Sequence, residues 1–230
     1  MIKVFLKNIT PPIIWNLAKK VLYDNPSLSR DNVRTLQTDV RKSIQNEKIK
    51  LHLGCGTMYK EGWINIDNNS DNNIKKLDLN WDLRKPLPFP DNSIDFIFNE
   101  HFLEHLTVEE GILSIKDFYR VLKPGGTMRI AMPDLEETVA LYYDKEWKEN
   151  NKIFFEKFGL TFIQTRAELI NINFRWWGHK WLYDWEELER RLKEAGCEKI
   201  KRCRIFESEH KDLRNLETRN ESTLIAEVTK

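Results

Sequence analysis

From residue 49 onward the apolar residues fall into short runs separated by polar or glycine-rich breaks. Ile49 to Leu53 is one run, Trp63 to Ile66 a second, and a third lies near residues 76–79. Ile94 to Phe98 is apolar apart from Asp95, the pattern of a strand buried on both faces. Residues 108–122 place Ile112, Ile115, Phe118, Tyr119 and Leu122 at helical spacing. Lys123-Pro124-Gly125-Gly126 ends that helix, and Thr127 to Met132 reads as a strand. Residues 134 to about 180 are aromatic-rich and helical in character, without strand alternation. A helix over Trp185 to Ala195 ends at Gly196, and strands follow near 199–206 and 223–228. This succession predicts an α/β domain with a doubly wound, mostly parallel sheet.

Residues 1–48 precede that pattern and are expected to form an N-terminal helical appendage to the 49–230 domain. Pro11-Pro12 suits a helix start. Ile13, Ile14, Leu17, Ala18, Val21 and Leu22 then form one apolar stripe. Two uses of residues 12–23 stand open: docking on the core, or a weak contact with a membrane surface or a partner. The 134–180 stretch reads as a lid or substrate insertion.

Candidate chemistry begins where the first run breaks into Gly54-Cys55-Gly56, with Asp67 closing the second run. Strand, glycine turn, strand and acid hold a nucleoside at the carboxyl edge of an α/β sheet. The glycines let main chain approach a ligand without a Cβ in the way, and the acid accepts from ribose hydroxyls. One feature resists: nine residues, Gly54 to Gly62, join the two strands, where a parallel crossover takes a dozen or more.

The chain has 37 basic and 36 acidic residues, a formal charge of +1. That balance gives no long-range pull on phosphate backbones, so a nucleic-acid partner is not expected. Three cysteines suggest no disulfide framework and point to a reducing, cytoplasmic setting. No apolar run approaches the ~18 residues of a spanning helix. The expected location is cytoplasmic, with a peripheral position on the inner membrane face as the alternative that goes with a membrane contact through residues 12–23.

Five segments together resemble the class I S-adenosylmethionine-dependent methyltransferases, closest to the type 11 group and its small bacterial relatives. They are Leu51-His52-Leu53-Gly54-Cys55-Gly56, Gly62-Trp63-Ile64-Asn65-Ile66-Asp67, Leu87-Pro88-Phe89-Pro90-Asp91-Asn92-Ser93-Ile94-Asp95, Leu103-Glu104-His105-Leu106, and Tyr119-Arg120-Val121-Leu122-Lys123-Pro124-Gly125-Gly126. The resemblance implies a seven-stranded, Rossmann-like sheet whose last strand is antiparallel, with S-adenosylmethionine as cofactor. It maps cofactor contacts onto Gly54, Cys55, Gly56, Asp67, Asn68, Asp82, Leu83, Asn99 and Glu100, with Asp78-Leu79 as a rival to Asp82 near the adenine. The chain departs from the family at His52, where an acid is usual, and at Met58, where a third glycine is common.

The expected activity is methyl transfer to a small or glycan-like acceptor, in the manner of O-methylation during surface-polysaccharide assembly. A non-catalytic binding or regulatory domain is the alternative. His101, just past a strand end, is the candidate general base, because an imidazole titrates near neutral pH. Asp134, just past the next strand, is a second candidate; its other role is a helix cap. His101 and His105 share a helix face with Glu104 nearby, a pairing that suggests a metal. No third ligand is evident in sequence, so no metal is expected. The 174–185 stretch holds four of the eight tryptophans. It reads either as an aromatic core anchoring the insertion or as a lid or wall against a sugar or another flat or apolar acceptor, with His179 and Tyr183 as candidate substrate contacts.

Overall fold

The computed structural model describes residues 48–68 and 73–230. The expectations for the N-terminal helix and for a membrane contact through residues 12–23 lie outside them. Seven strands form one sheet in the order β3-β2-β1-β4-β5-β7-β6. They are β1 (Lys50–Leu53), β2 (Ile64–Asp67), β3 (Leu79–Asn80), β4 (Ile94–Glu100), β5 (Leu122–Met132), β6 (Lys199–Arg202) and β7 (Leu224–Thr229). β1 to β5 pair in parallel and β7 runs antiparallel to both β5 and β6. The strand order reverses beside β1, the place where open α/β sheets bind ligands.

The helices are α1 (Val108–Val121), α2 (Leu135–Tyr143), α3 (Trp147–Asn150), α4 (Lys152–Lys157), α5 (Arg166–Asn171) and α6 (Trp185–Glu194). α1 starts at a capping box, with Thr107 accepting from the Glu110 amide and Glu110 reaching back to Thr107. Its apolar side, Ile115, Phe118 and Val121, packs with Leu188 and Leu192 of α6 and Ile97 of β4 in the main core. The other sheet face carries a second core of Trp63, Phe96, Phe98, Ala131, Leu213 and Ile225. β5 begins at Leu122, earlier than expected, and passes through Pro124-Gly125-Gly126 with a register irregularity opposite Ile94 to Phe96. The glycine pair does not stop the strand, because Gly125 and Gly126 exchange main-chain hydrogen bonds with Lys230.

The short crossover between β1 and β2 contains no helix. Its main chain is held by one side chain, the fully buried Asn65. The Asn65 carboxamide oxygen accepts from the Lys60 amide (2.8 Å), and its nitrogen donates to the Lys60 and Trp63 carbonyls at 3.0 and 2.9 Å. The amides of Gly54 and Cys55 both donate to the Ile66 carbonyl. A buried amide that satisfies every donor and acceptor does the work a helix usually does here.

The insertion has its own small core of Trp147, Phe155, Leu160, Ile163, Leu169 and Ile172. This differs from the expected role of the 174–185 tryptophans, since Trp176 is 60% exposed and Trp177 and Trp181 are nearly 40% exposed. α6 starts at Asp184, which accepts from the Glu187 amide as expected. Glu187 does not complete a capping box; its carboxylate is taken by Arg190 and Arg191.

Candidate active site

The carboxyl edge of β1 and β2 carries the glycine turn. Gly54 and Gly56 have φ of 67° and 50°, the left-handed region that favours glycine. The two are required for different reasons. A Cβ on Gly54 would stand 2.7 Å from the Phe102 ring, so this glycine serves packing. A Cβ on Gly56 would meet nothing within 4 Å, so Gly56 presents main chain to open space. The Gly56 amide donates to Asp67 Oδ2 at 2.6 Å, and the Asn68 amide donates to Oδ1 at 2.6 Å. Both oxygens keep a lone pair for a further donor. Cys55 is buried, and burial pushes its thiol pKa up to about 12, so it stays a thiol.

The Trp81 amide donates to the Asp67 carbonyl at 2.9 Å, bringing Asp82 and Leu83 to the same edge. Asp82 is forked by the Arg84 guanidinium at 2.8 Å through each oxygen, and this pair holds its carboxyl below the usual range. Leu83 is buried. The rival Asp78 is committed to the crossover, accepting from the Asn65 amide and the Tyr59 hydroxyl.

His52 stands where the resembling family usually has an acid. It is buried, stacks on Phe98 at 5.4 Å between ring centroids, and lies 3.1 Å from the Asn65 side-chain oxygen. Burial lowers its pKa to about 4, so it is neutral in the folded state at ordinary pH.

β4 delivers three of the expected residues. Asn99 is fully buried opposite Leu53, and both of its amide atoms lack a partner. Glu100 points to the opposite face. Its carboxylate accepts from the amides of Thr218 and Arg219 and the hydroxyls of Thr218 and Ser222. Burial pushes its pKa up, but the Thr218 and Ser222 hydrogen bonds outweigh that and hold it low. Glu100 therefore anchors the loop before β7.

His101 follows with φ of 52°, strained for a non-glycine residue. Its Nδ1 lies 3.0 Å from Glu104 Oε1, while its Nε2 is buried without a partner. That contact is not aligned as a hydrogen bond, and both oxygens of the fully buried Glu104 are unpaired. Asp134 caps α2 by accepting from the Glu136 amide, and its other oxygen pairs with Arg202 at 3.0 Å. Burial raises the Asp134 pKa against that pairing.

Sequence reasoning missed what the 174–185 stretch brings. The amides of Lys180 and Trp181 donate to the Glu104 carbonyl, and the Leu135 amide donates to the Tyr183 carbonyl. The stretch is thereby laced onto the 3-10 turn Leu103–His105 and the start of α2. His179 ends beside His105, ring centroids 5.0 Å apart and nearly perpendicular. Burial lowers the pKa of both rings. The Tyr183 hydroxyl is buried and unpaired against Gly111, where a Cβ would stand 2.9 Å from it. Only the concentration of His and Tyr in one aromatic stretch signalled this in sequence.

Residues 65–130 match the family model of the methyltransferase domain. That match runs from β2 into β5 of the mostly parallel, seven-stranded sheet and spans less than half of the chain. No curated protein matches the chain. Among solved structures, the chain is similar to an S-adenosylmethionine-dependent methyltransferase from Archaeoglobus fulgidus. Identity is 18% and the TM-score 0.48, covering 87% of this chain and 93% of that one. It is also similar to one from Thermotoga maritima, at 17% identity and a TM-score of 0.49, covering 94% and 99%. Both of those proteins are named for their dependence on S-adenosylmethionine. The residues at the sheet edge fit it: the open side of Gly56, the accepting Asp67, and the unsatisfied Asn99 amide.

Proposed function

We propose that this methyltransferase domain alkylates a hydroxyl of a small or glycan-like acceptor at the carboxyl edge of β1, β2 and β4. When bound, S-adenosylmethionine supplies an electrophilic methyl group on a sulfonium centre. Asp67 accepts from the ribose hydroxyls, and the Gly54-Cys55-Gly56 turn, Asn68, Asp82 and Leu83 border the nucleoside. The Asn99 amide serves the methionine end. His101 takes the acceptor's proton at Nε2, while Glu104 beside Nδ1 orients the ring and stabilises its charged form. Asp134 positions substrate only if Arg202 releases it. The exposed rings of Phe162 and Trp176, 5.6 Å apart, offer flat faces for a sugar.

One observation carries this reading: at the edge holding Gly56 and Asp67, His101 Nε2 and the Asn99 amide are buried and unpartnered. Turnover of labelled S-adenosylmethionine against a panel of nucleotide sugars and glycans tests it. Methylated product with wild type, and none with His101→Asn, is the expected result. The second reading, a non-catalytic domain, draws on His52, which puts a buried neutral ring in place of an acid. Absence of heat on titrating the protein with S-adenosylmethionine would establish it instead.

A further inference from the structure

Three of the chain's five histidines gather within one turn of the β4 carboxyl end. Glu104, His105 and His179 each offer a ligand atom, and these atoms lie within 4.8 Å of one another. Two residues are neighbours on the Leu103–His105 turn; the third arrives from the insertion, more than seventy positions away. A carboxylate at 0% exposure whose two oxygens accept no hydrogen bond is costly to keep charged. Buried charges of this kind are paired or coordinate metals. The nearest ring, that of His101, lies at contact distance from Oε1 without the alignment of a hydrogen bond.

We infer that Glu104, His105 and His179 bind a divalent transition-metal ion of borderline hardness, of which Zn²⁺ is the best match. Two imidazoles and one carboxylate are the ligand set such ions take, at bond lengths near 2.0–2.2 Å. Binding draws the three ligand atoms together from their present spacing. His179 is already oriented for it. Its Nδ1 donates to the Asn173 carbonyl at 2.6 Å, which leaves Nε2 as the free lone pair. A ligating histidine ordinarily donates its other ring N–H in this way. The main chain on both sides is fixed, since the Glu104 carbonyl accepts from Lys180 and Trp181. Three protein ligands leave a coordination position open for water or an oxygen of a bound molecule. The ion would clasp the 174–185 stretch to the turn that follows β4. The site shares Glu104 with the methyl-transfer reading, in which it stands beside His101 Nδ1, but the two are tested apart, because this test measures metal and not turnover.

The full chain, stripped with a chelator and dialysed, is titrated with Zn²⁺ and with Co²⁺ as a spectroscopic probe. One equivalent is expected to bind. The Co²⁺ bands should be those of a nitrogen and oxygen site without thiolate charge transfer, which separates it from binding at Cys55, Cys197 or Cys203. His179→Gln and Glu104→Gln should each weaken binding by at least tenfold, while His210→Gln, remote from the cluster, should leave it unchanged. The wild-type spectrum stands even if a variant fails to fold. Less than a tenth of an equivalent bound, a thiolate spectrum, or equal affinity in His179→Gln would overturn the inference.

Discussion

Asp67 Oδ2 accepts the Gly56 amide at 2.6 Å, tying the acid at the end of β2 to the bare glycine of the turn after β1. One carboxylate thus shapes the turn at the carboxyl edge of β1 and β2. Removing it loosens the turn and, on the proposed function, deletes the ribose acceptor with it. Asp67→Ala should weaken S-adenosylmethionine binding by at least tenfold, about 1.4 kcal/mol, with the fold intact by circular dichroism. Calorimetric titration reads this directly, and an unchanged affinity would remove Asp67 from the ribose.

Glu100 makes the contrasting case. Its carboxylate is saturated by Thr218, Arg219 and Ser222, so nothing is left to hold a cofactor. Glu100→Ala leaves those donors unpaired, at a cost of about 1–3 kcal/mol each when buried. Amide hydrogen exchange should quicken across 204–222 while cofactor affinity moves far less than in Asp67→Ala. A loss of affinity equal to that of Asp67→Ala, without faster exchange, would return Glu100 to the cofactor.

These two acids show how far the sequence could be read. Asp67 closes an apolar run and follows a glycine turn, both local signals. Glu100 sits beside Asn99 in the chain, but alternation along β4 sends adjacent side chains to opposite faces. Its partners lie more than a hundred residues later, beyond any local pattern. β1, β2, β4, α1 and α6 were legible because each carries its own periodicity. β3 was legible only as a short run near 76–79, placed a few residues early, since two residues hold no period. β5 was misjudged at its start because Gly125-Gly126 resembles a turn until Lys230 pairs with it. His105 and His179 are brought together by the fold alone.

His52 makes stability depend on acid. Its pKa is about 4 in the folded protein against 6.5 for an ordinary histidine. Above pH 6.5 both states are neutral and the buried ring carries no proton penalty. As pH falls from 6.5 towards 4 the unfolded chain takes up the proton first, and stability is lost. The full loss is about 3 kcal/mol, of which about 2 kcal/mol has gone by pH 5. His105 and His179, also lowered by burial, act in the same direction. Urea unfolding at pH 7 and pH 5 should show the loss in wild type and a smaller one in His52→Gln. Equal losses in the two proteins would mean that His52 is not buried neutral.

Arg129, fully buried on β5, binds Glu217 and Glu227 and donates to the Glu207 and Arg204 carbonyls. It holds the 203–217 segment against the face opposite α1, next to the residues that clamp Glu100. Removing one member of a buried ion network strands the others, typically at about 3–5 kcal/mol. Arg129→Met keeps the volume and apolar stem but leaves Glu217 charged and without its cation in the interior. Its urea midpoint should fall steeply at pH 7. The deficit should shrink in Arg129→Met combined with Glu217→Gln, because the double variant no longer buries that lone charge. A double variant as unstable as the sum of its parts would show that the side chains act through packing and not through their charges.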